Sequence, residues 1–412
     1  MTDIKLYGPF CEIVTMDGLS LHGPLQDHEL PVIRNAGIVV QDGKVLDIGG
    51  YHQLFKKYAA AERVLTETKH QVVVPAFIDC HTHICWAGNR ANDYAMRVSG
   101  KSYLEIAKAG GGIMDTVLAT RSATQEELVT LILKRTESLL AQGVAIVEVK
   151  SGYGLDLDNE LKMLRAIKET NNHTSAKLIP TFLGAHIRPK DFEGTHKKYL
   201  AYLVNEVAPR VLEEGLAKRA DIFVEEGAFD IELSEWYIKE MQKLGFEMTV
   251  HADQFSSGGA SLAVETGCIS ADHLESIDEH SITKFRNSKT VAIALPGASL
   301  GLGMAFTPCR QLLDNDACVA IATDWNPGSA PMGHLLAQAS IIGANEKMSI
   351  AETLAAITYR SAYALRVNAG TIRIGDNARF TVYEGDDFRN IFYSQGQLHP
   401  THTIIGDECI QH

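Results

Sequence analysis

The sequence predicts an α/β protein, a (β/α)8 TIM-like barrel that carries a small β-sandwich domain formed from both termini. Three observations predict it. Between about 71 and 368, eight short apolar runs alternate with amphipathic stretches, and strand–helix alternation of this kind builds a parallel sheet. β-rich text of another character flanks that region on both sides. Six of the eight runs lead, at or just past their C-terminal ends, to a residue capable of chemistry, and in a barrel those ends converge on one face.

The flanks come first. From residue 35 the text "NAGIVVQDGKVLDIGG" places Asp42-Gly43 between two β-rich runs, a hairpin signal. "AGTIRIGDNARFTVYEG" (369–385) has the same character, with Gly375-Asp376 turning between strands. Neither piece is long enough to stand alone. The reading is therefore one composite β-domain, 1–70 plus 369–412, with a barrel domain, 71–368, inserted.

The barrel runs are 72–83, 144–154, 176–186, 220–227, 246–253, 269–274, 290–297 and 319–328. Helical text separates most of them. "SATQEELVTLILKRTESLLAQG" (122–143) opens with a capping box at Thr124 and Glu127 and stops at Gly143. Segments 157–170 and 232–245 repeat apolar residues at three-and-four spacing. An open doubly wound sheet is the competing arrangement, and the strand count favours closure.

Composition narrows the function classes. A net charge of −13 excludes the basic face that nucleic-acid binding requires. An anionic small substrate would need Arg or Lys placed locally. Seven scattered cysteines without a CxxC pair fit a reducing cytoplasm. The N-terminus lacks a signal-peptide plan, and no apolar run reaches the roughly 18 residues of a membrane span. A cytoplasmic protein with no membrane partner is expected.

The stretch "VVPAFIDCHTHICWAG" (73–88) ends an apolar run with His81 and His83, two residues apart and so on one side of an extended chain. Other runs lead to Tyr153, His186, His251, His273 and Asp324. Two histidines from one strand, a third from across the barrel and a carboxylate meet the needs of a catalytic divalent metal. His81, His83, His251 and Asp324 span the barrel with the fewest assumptions, although spacing leaves His186 and His273 open for the third imidazole. Arg90, in "GNR" just beyond the pair, could hold an anionic tail bidentately. "NPGSAP" (326–331) offers backbone N–H groups, and "AGGGI" (109–113) is a flexible run without the Lys-Ser/Thr of a nucleotide loop. Neither a nucleophile elbow nor P-loop text is present.

"FIDCHTH", "SADHL" and "ATDWNPG" resemble the amidohydrolase superfamily. More narrowly, "HTHICWAGNRANDYAMR", "IAKAGGGI", "EVKSGYGLDLDNELKMLR" and "TDWNPGSAP" resemble the imidazolonepropionase family over nearly the whole barrel. The resemblance implies one divalent metal per chain, zinc or iron, held by His81, His83, His251 and Asp324. It implies an anionic heterocyclic substrate, 4-imidazolone-5-propanoate, opened to N-formimidoyl-L-glutamate in histidine degradation. Arg90 and Tyr103 would hold the propionate, and Tyr153 and His186 would line the ring pocket. Gln254 and His273 would contact the imidazolone, while Asn326, Gly328 and Ser329 would meet substrate or product. Asp324 would shuttle the proton of a metal-activated water and His273 would stabilise the oxyanion. Lys150 would be structural rather than a carboxylated bridge between metals. A homodimer is possible. Two rivals remain: a related amidohydrolase deaminating or opening another small heterocycle, and a non-catalytic scaffold.

Overall fold

The computed structural model describes residues 4–66, 70–101, 105 and 110–412. Two sheets organise it. The terminal sheet takes β1 (Ile4–Val14), β2 (Val32–Gln41), β3 (Lys44–Gly50), β4 (Glu62–Val64) and β5 (Gln71–Pro75) from the N-terminal part. The barrel strands follow: β6 (Phe77–Asp79), β7 (Val144–Lys150), β8 (Lys177–Ala185), β9 (Arg219–Val224), β10 (Glu247–Ala252), β11 (Ser270–His273), β12 (Val291–Ala294) and β13 (Val319–Ile321). The chain then returns to the terminal sheet with β14 (Arg379–Glu384), β15 (Pro400–Ile405) and β16 (Glu408–Gln411).

The terminal sheet has the order β16-β15-β14-β5-β1-β2-β3, with β4 also on β1. Asp42 (φ 50°) and Gly43 (φ 70°) form the turn between β2 and β3, and two consecutive positive φ values mark the hairpin turn whose twist matches the strands. Gly43 N–H donates to Asp407 Oδ1 at 2.8 Å in the β15–β16 turn. The ladder thus folds over itself, and Tyr7, Phe10, Ile38, Val40, Phe380 and Ile404 fill the space between its two layers.

Two sequence expectations change here. Only the second run around Gly375-Asp376 becomes a strand, β14. Residues before it instead wrap the Asp376 carboxylate, which accepts from Asn368 Nδ2 at 3.0 Å and Thr371 Oγ1 at 3.4 Å; such local bonds compete with a ladder. The run beginning at 72 is also divided. β5 lies between β14 and β1 in the terminal sheet, and β6 opens the barrel. The change of sheet falls at Ala76, whose N–H donates to Arg379 O, while Phe77 N–H donates to Gly143 O.

β6 to β13 follow one another in sequence order, each parallel to the next. The first and last strands meet through a parallel bridge, Thr82 to Trp325. Asp324 N–H donates to His81 O and His83 N–H to Trp325 O, both at 3.0 Å. This seam closes the barrel. The helix Gln125–Leu140 starts with the expected reciprocal cap of Thr124 and Glu127. Leu157–Thr170 and Ile231–Lys243 are capped by Asp156 and Asp230. Among the described residues, no helix is long and apolar enough to cross a membrane.

Candidate active site

At the C-terminal ends of the barrel strands lies a cavity of about 580 Å³, whose lining includes His83, His186, His251, His273, Asp324 and Arg90. Strand geometry explains how they meet. His81 and His83 follow β6, His251 sits in β10, His273 ends β11 and Asp324 follows β13. His273 (φ 89°) and Asp324 (φ 53°) adopt a backbone region that non-glycine residues rarely occupy. Such strain collects where a side chain must be aimed against local preference.

The imidazole tautomers can be read from their outer partners. His81 Nδ1 lies 2.6 Å from Asp272 Oδ2, and His251 Nδ1 lies 3.1 Å from Asp221 Oδ2. The Asp272 carboxylate accepts, so a singly protonated His81 carries its proton on Nδ1 and leaves Nε2 as a lone pair; Asp221, beside His251 Nδ1 but outside hydrogen-bond geometry, favours the same tautomer there by its charge. These bare nitrogens face one another. His251 Nε2 is 3.3 Å from His83 Nε2, and Asp324 Oδ1 is 3.3 Å from His83 Nε2 and 3.5 Å from His81 Nε2. His81 Nε2 and Asp324 Oδ1 are buried without a hydrogen-bond partner. A cluster of lone pairs and an anion with nothing to balance it calls for positive charge.

Electrostatics agree. Burial pushes the Asp324 carboxyl up, yet the neighbouring imidazoles of His81, His83 and His273 hold it well below the usual range. Burial and Lys150 depress His81, but Asp272 and Asp324 outweigh them and raise it to about 9, so the anionic surroundings draw a positive charge to this ring, a proton when no metal ion is bound. Burial drives His251 well below its ordinary value despite Asp221. The residues fit a divalent cation, with His81, His83 and His251 forming one compact donor group and His81, His273 and Asp324 another. Both alternatives to His251 lie close: His186 stacks on His83 at 5.5 Å, and His273 is 5.4 Å from His251.

Beneath the histidines runs a charged layer that the sequence reading did not assemble. Lys150 Nζ holds Asp221 Oδ2 at 2.7 Å and Glu148 Oε1 at 2.8 Å, with Asp272 Oδ2 at 4.0 Å. All four side chains are buried. Against the cost of burial, His251 and then Lys150 hold Asp221 low, and His81 and then Lys150 hold Asp272 low; Lys150 points into this layer as an ion-pair partner. The available signal was the presence of charges inside apolar runs, in "VAIVEVK", "ADIF" and "SADH".

The remaining expected residues are placed as follows. Arg90 lines the cavity and its Nε donates to Asp93 Oδ2 at 2.7 Å; the same oxygen accepts from Gly112 N–H at 2.9 Å. Arg97, which the sequence reading passed over, clamps Gly301 O and Gly328 O at 2.7 and 2.9 Å. Tyr153 and Gln254 line the cavity. His186 donates from Nδ1 to Gly152 O at 2.9 Å, and burial beside His83 lowers it to about 3. Asn326 braces Asp324, its Nδ2 donating to Asp324 O at 2.7 Å and Oδ2 at 3.0 Å. Asn326 Oδ1 accepts the N–H groups of Gly328 and Ser329, both at 2.8 Å. Those two amides are therefore engaged in the turn, and the Ser329 hydroxyl accepts from Asn326 Nδ2 at 3.0 Å as well, although both residues line the cavity. Tyr103 lies outside the described residues.

Comparison with known proteins gives these features a family. The Amidohydrolase family model matches residues 101–401. Imidazolonepropionase from Bdellovibrio bacteriovorus is 37% identical over 90% of this chain and 88% of its own. That from Caldanaerobacter subterraneus is 40% identical over 90% and 89%, and that from Clostridium tetani 34% identical over 96% and 95%. Among solved structures, atrazine chlorohydrolase from Arthrobacter aurescens complexed with zinc superposes with a TM-score of 0.68 at 14% identity, over 98% and 94% of the chains. Aminofutalosine deaminase from Helicobacter pylori gives 0.70 at 16%, over 99% and 100%; at such identity the likeness shows the fold. With its closed barrel, its folded-over terminal sheet and this extent of identity, the chain belongs to the imidazolonepropionase family of amidohydrolases.

Proposed function

We propose that this protein opens the ring of 4-imidazolone-5-propanoate hydrolytically to give N-formimidoyl-L-glutamate, a step of histidine degradation. The observation that carries the substrate choice is Arg90, held by buried Asp93 on the wall of the cavity that also contains the His–Asp cluster. A carboxylate tail gives that guanidinium a purpose, whereas an uncharged heterocycle does not. Family membership supports the reaction.

His81, His83, His251 and Asp324 would hold one divalent ion, zinc or iron. When bound, such an ion supplies Lewis acidity and lowers the pKa of water to roughly 7. The protein's own groups do the rest. Asp324, braced by Asn326 on Oδ2, takes the proton of the attacking water and returns it to the departing ring nitrogen. His273, at the end of β11 on the cavity wall, stabilises negative charge on the attacked carbonyl oxygen by donating a ring N–H to it. Arg90 holds the propionate. Tyr153 and His186 form the wall against the ring, and His186 offers Nε2 as an acceptor to a ring N–H. Gln254 can orient the ring but cannot exchange protons with it. Seven unpaired cysteines support a place in the cytoplasm.

The test is metal content measured together with turnover of freshly generated imidazolone propanoate, followed by loss of its ultraviolet absorbance. About one metal per chain and chelator-sensitive turnover are expected. Metal without turnover would move the substrate to another cyclic amide or a heterocyclic amine.

A further inference from the structure

Glu160, on the helix Leu157–Thr170, is fully buried behind the cavity wall. Its Oε1 accepts the N–H groups of Gly154 at 2.9 Å, Leu155 at 2.8 Å and Gly152 at 3.2 Å; Oε2 shares Gly152 N–H at 3.2 Å. The Ser151 hydroxyl bonds it as well. Every partner is a donor, which suits a group that only accepts. The turn it gathers, 151–155, needs such a hub because Gly152 (φ 103°) and Leu155 (φ 58°) both leave ordinary backbone space. The turn also sits directly on the helix: a Cβ on Gly154 would lie 2.5 Å from Glu160 N.

Two cavity residues depend on this turn. Tyr153 projects from its middle. His186, from the next strand, places its ring 5.6 Å from Tyr153 and donates from Nδ1 to Gly152 O. A carbonyl can only accept, so the ring proton of His186 is fixed on Nδ1 and Nε2 remains a lone pair.

We infer that Glu160 is a positioning residue for the ring pocket: by seating Gly152 it selects the tautomer in which His186 presents an acceptor to the substrate ring. What fills the pocket rests on the function proposed above; the tautomer does not. The chain of contacts also says which variant is informative. In Glu160→Gln the amide oxygen can keep the Oε1 position, so Gly154 and Leu155 retain their acceptor. The NH2 group then takes the Oε2 position and opposes the Gly152 N–H that Oε2 shares. The disturbance therefore falls on Gly152, the residue that carries His186.

The experiment is 15N NMR of the full-length protein labelled at histidine, with His186 assigned through its absence in His186→Asn. Wild type should show a protonated Nδ1 and an unprotonated Nε2 at His186. Folded Glu160→Gln should show exchange between tautomers and a KM for imidazolone propanoate raised about tenfold, the weight of one oriented hydrogen bond, with kcat changed less than about twofold. If Glu160→Gln does not fold, Gly154→Ala presses on the same turn with the carboxylate intact and should move the same resonance. An unchanged His186 pattern in a folded variant overturns the inference. A shifted pattern in a protein that does not turn over imidazolone propanoate upholds the positioning role and removes the substrate reading instead.

Discussion

Replacing Arg90 by Met removes the guanidinium but keeps an unbranched stem at the cavity wall. The Arg90 side chain is 12% exposed and that of Asp93 4% exposed, so a carboxylate bound there is largely shielded from water. A charge-assisted hydrogen bond in such a place is worth about 1.5–3 kcal/mol, or roughly 10- to 150-fold in affinity. The change also leaves Asp93 buried with Gly112 N–H at 2.9 Å, which loosens the wall without touching the His–Asp cluster. Arg90→Met should therefore raise KM for imidazolone propanoate within that range and leave kcat within about threefold, the pattern of lost uniform binding. The assay compares it with the neutral analogue carrying a propyl tail, for which wild type and variant should have similar kcat/KM. An equal loss on both substrates, or a fall in kcat at constant KM, would refute the assignment of Arg90 to the tail.

Further expectations concern the same cavity and its supports. Asp324→Asn removes the proton-accepting group and should lower kcat by about 10²–10⁴, measured alongside metal content so that loss of the ion is separated from loss of the shuttle. Lys150→Met leaves Glu148, Asp221 and Asp272 buried without their cation and should cost about 3–5 kcal/mol of stability; a urea midpoint close to wild type would show that the layer is not held by that charge. Gly301→Ala would put a Cβ 1.7 Å from Ser329 O, so the loop that carries Asn326 and Ser329 must move. An overpacking cost of about 1–3 kcal/mol with a raised KM is expected, read by thermal melting and kinetics. Chelation should abolish turnover and lower the melting temperature, because an ion that binds only the folded cluster stabilises it; readdition of zinc or iron restores both.

The barrel was legible because its strands are mainly apolar up to their ends, so His81, His251, His273 and Asp324 stood out against their runs. The caps at Thr124 and Glu127 were equally local and equally readable. The division of 72–83 was not, since Val72, Val73 and Val74 are buried in the terminal sheet and read the same as a barrel strand. Nor was the choice among imidazoles. It depends on which ring nitrogen faces inward, and that is set by Asp272 and Asp221, 191 and 30 residues from the histidines they orient. Asp93 and Glu160 carry no local signal of a role; only folding turns them toward backbone amides of neighbouring loops. The Asn326 turn shows the opposite case, where the motif was visible but its amides proved to be spent within the loop.

The passage from β5 to β6 has a consequence for how the protein is made. One residue, Ala76, separates a strand of the terminal sheet from the strand that leads to His81 and His83. β5 is flanked by β1, available early in synthesis, and by β14, which leaves the ribosome more than three hundred residues later. The eighth barrel strand, which supplies Asp324, is likewise among the last barrel segments translated. A nascent chain emerges N-terminus first, and contacts so distant in sequence form slowly. The two histidines therefore wait on an unfinished scaffold, and the His–Asp cluster proposed to hold the metal is complete only once the C-terminal strands arrive.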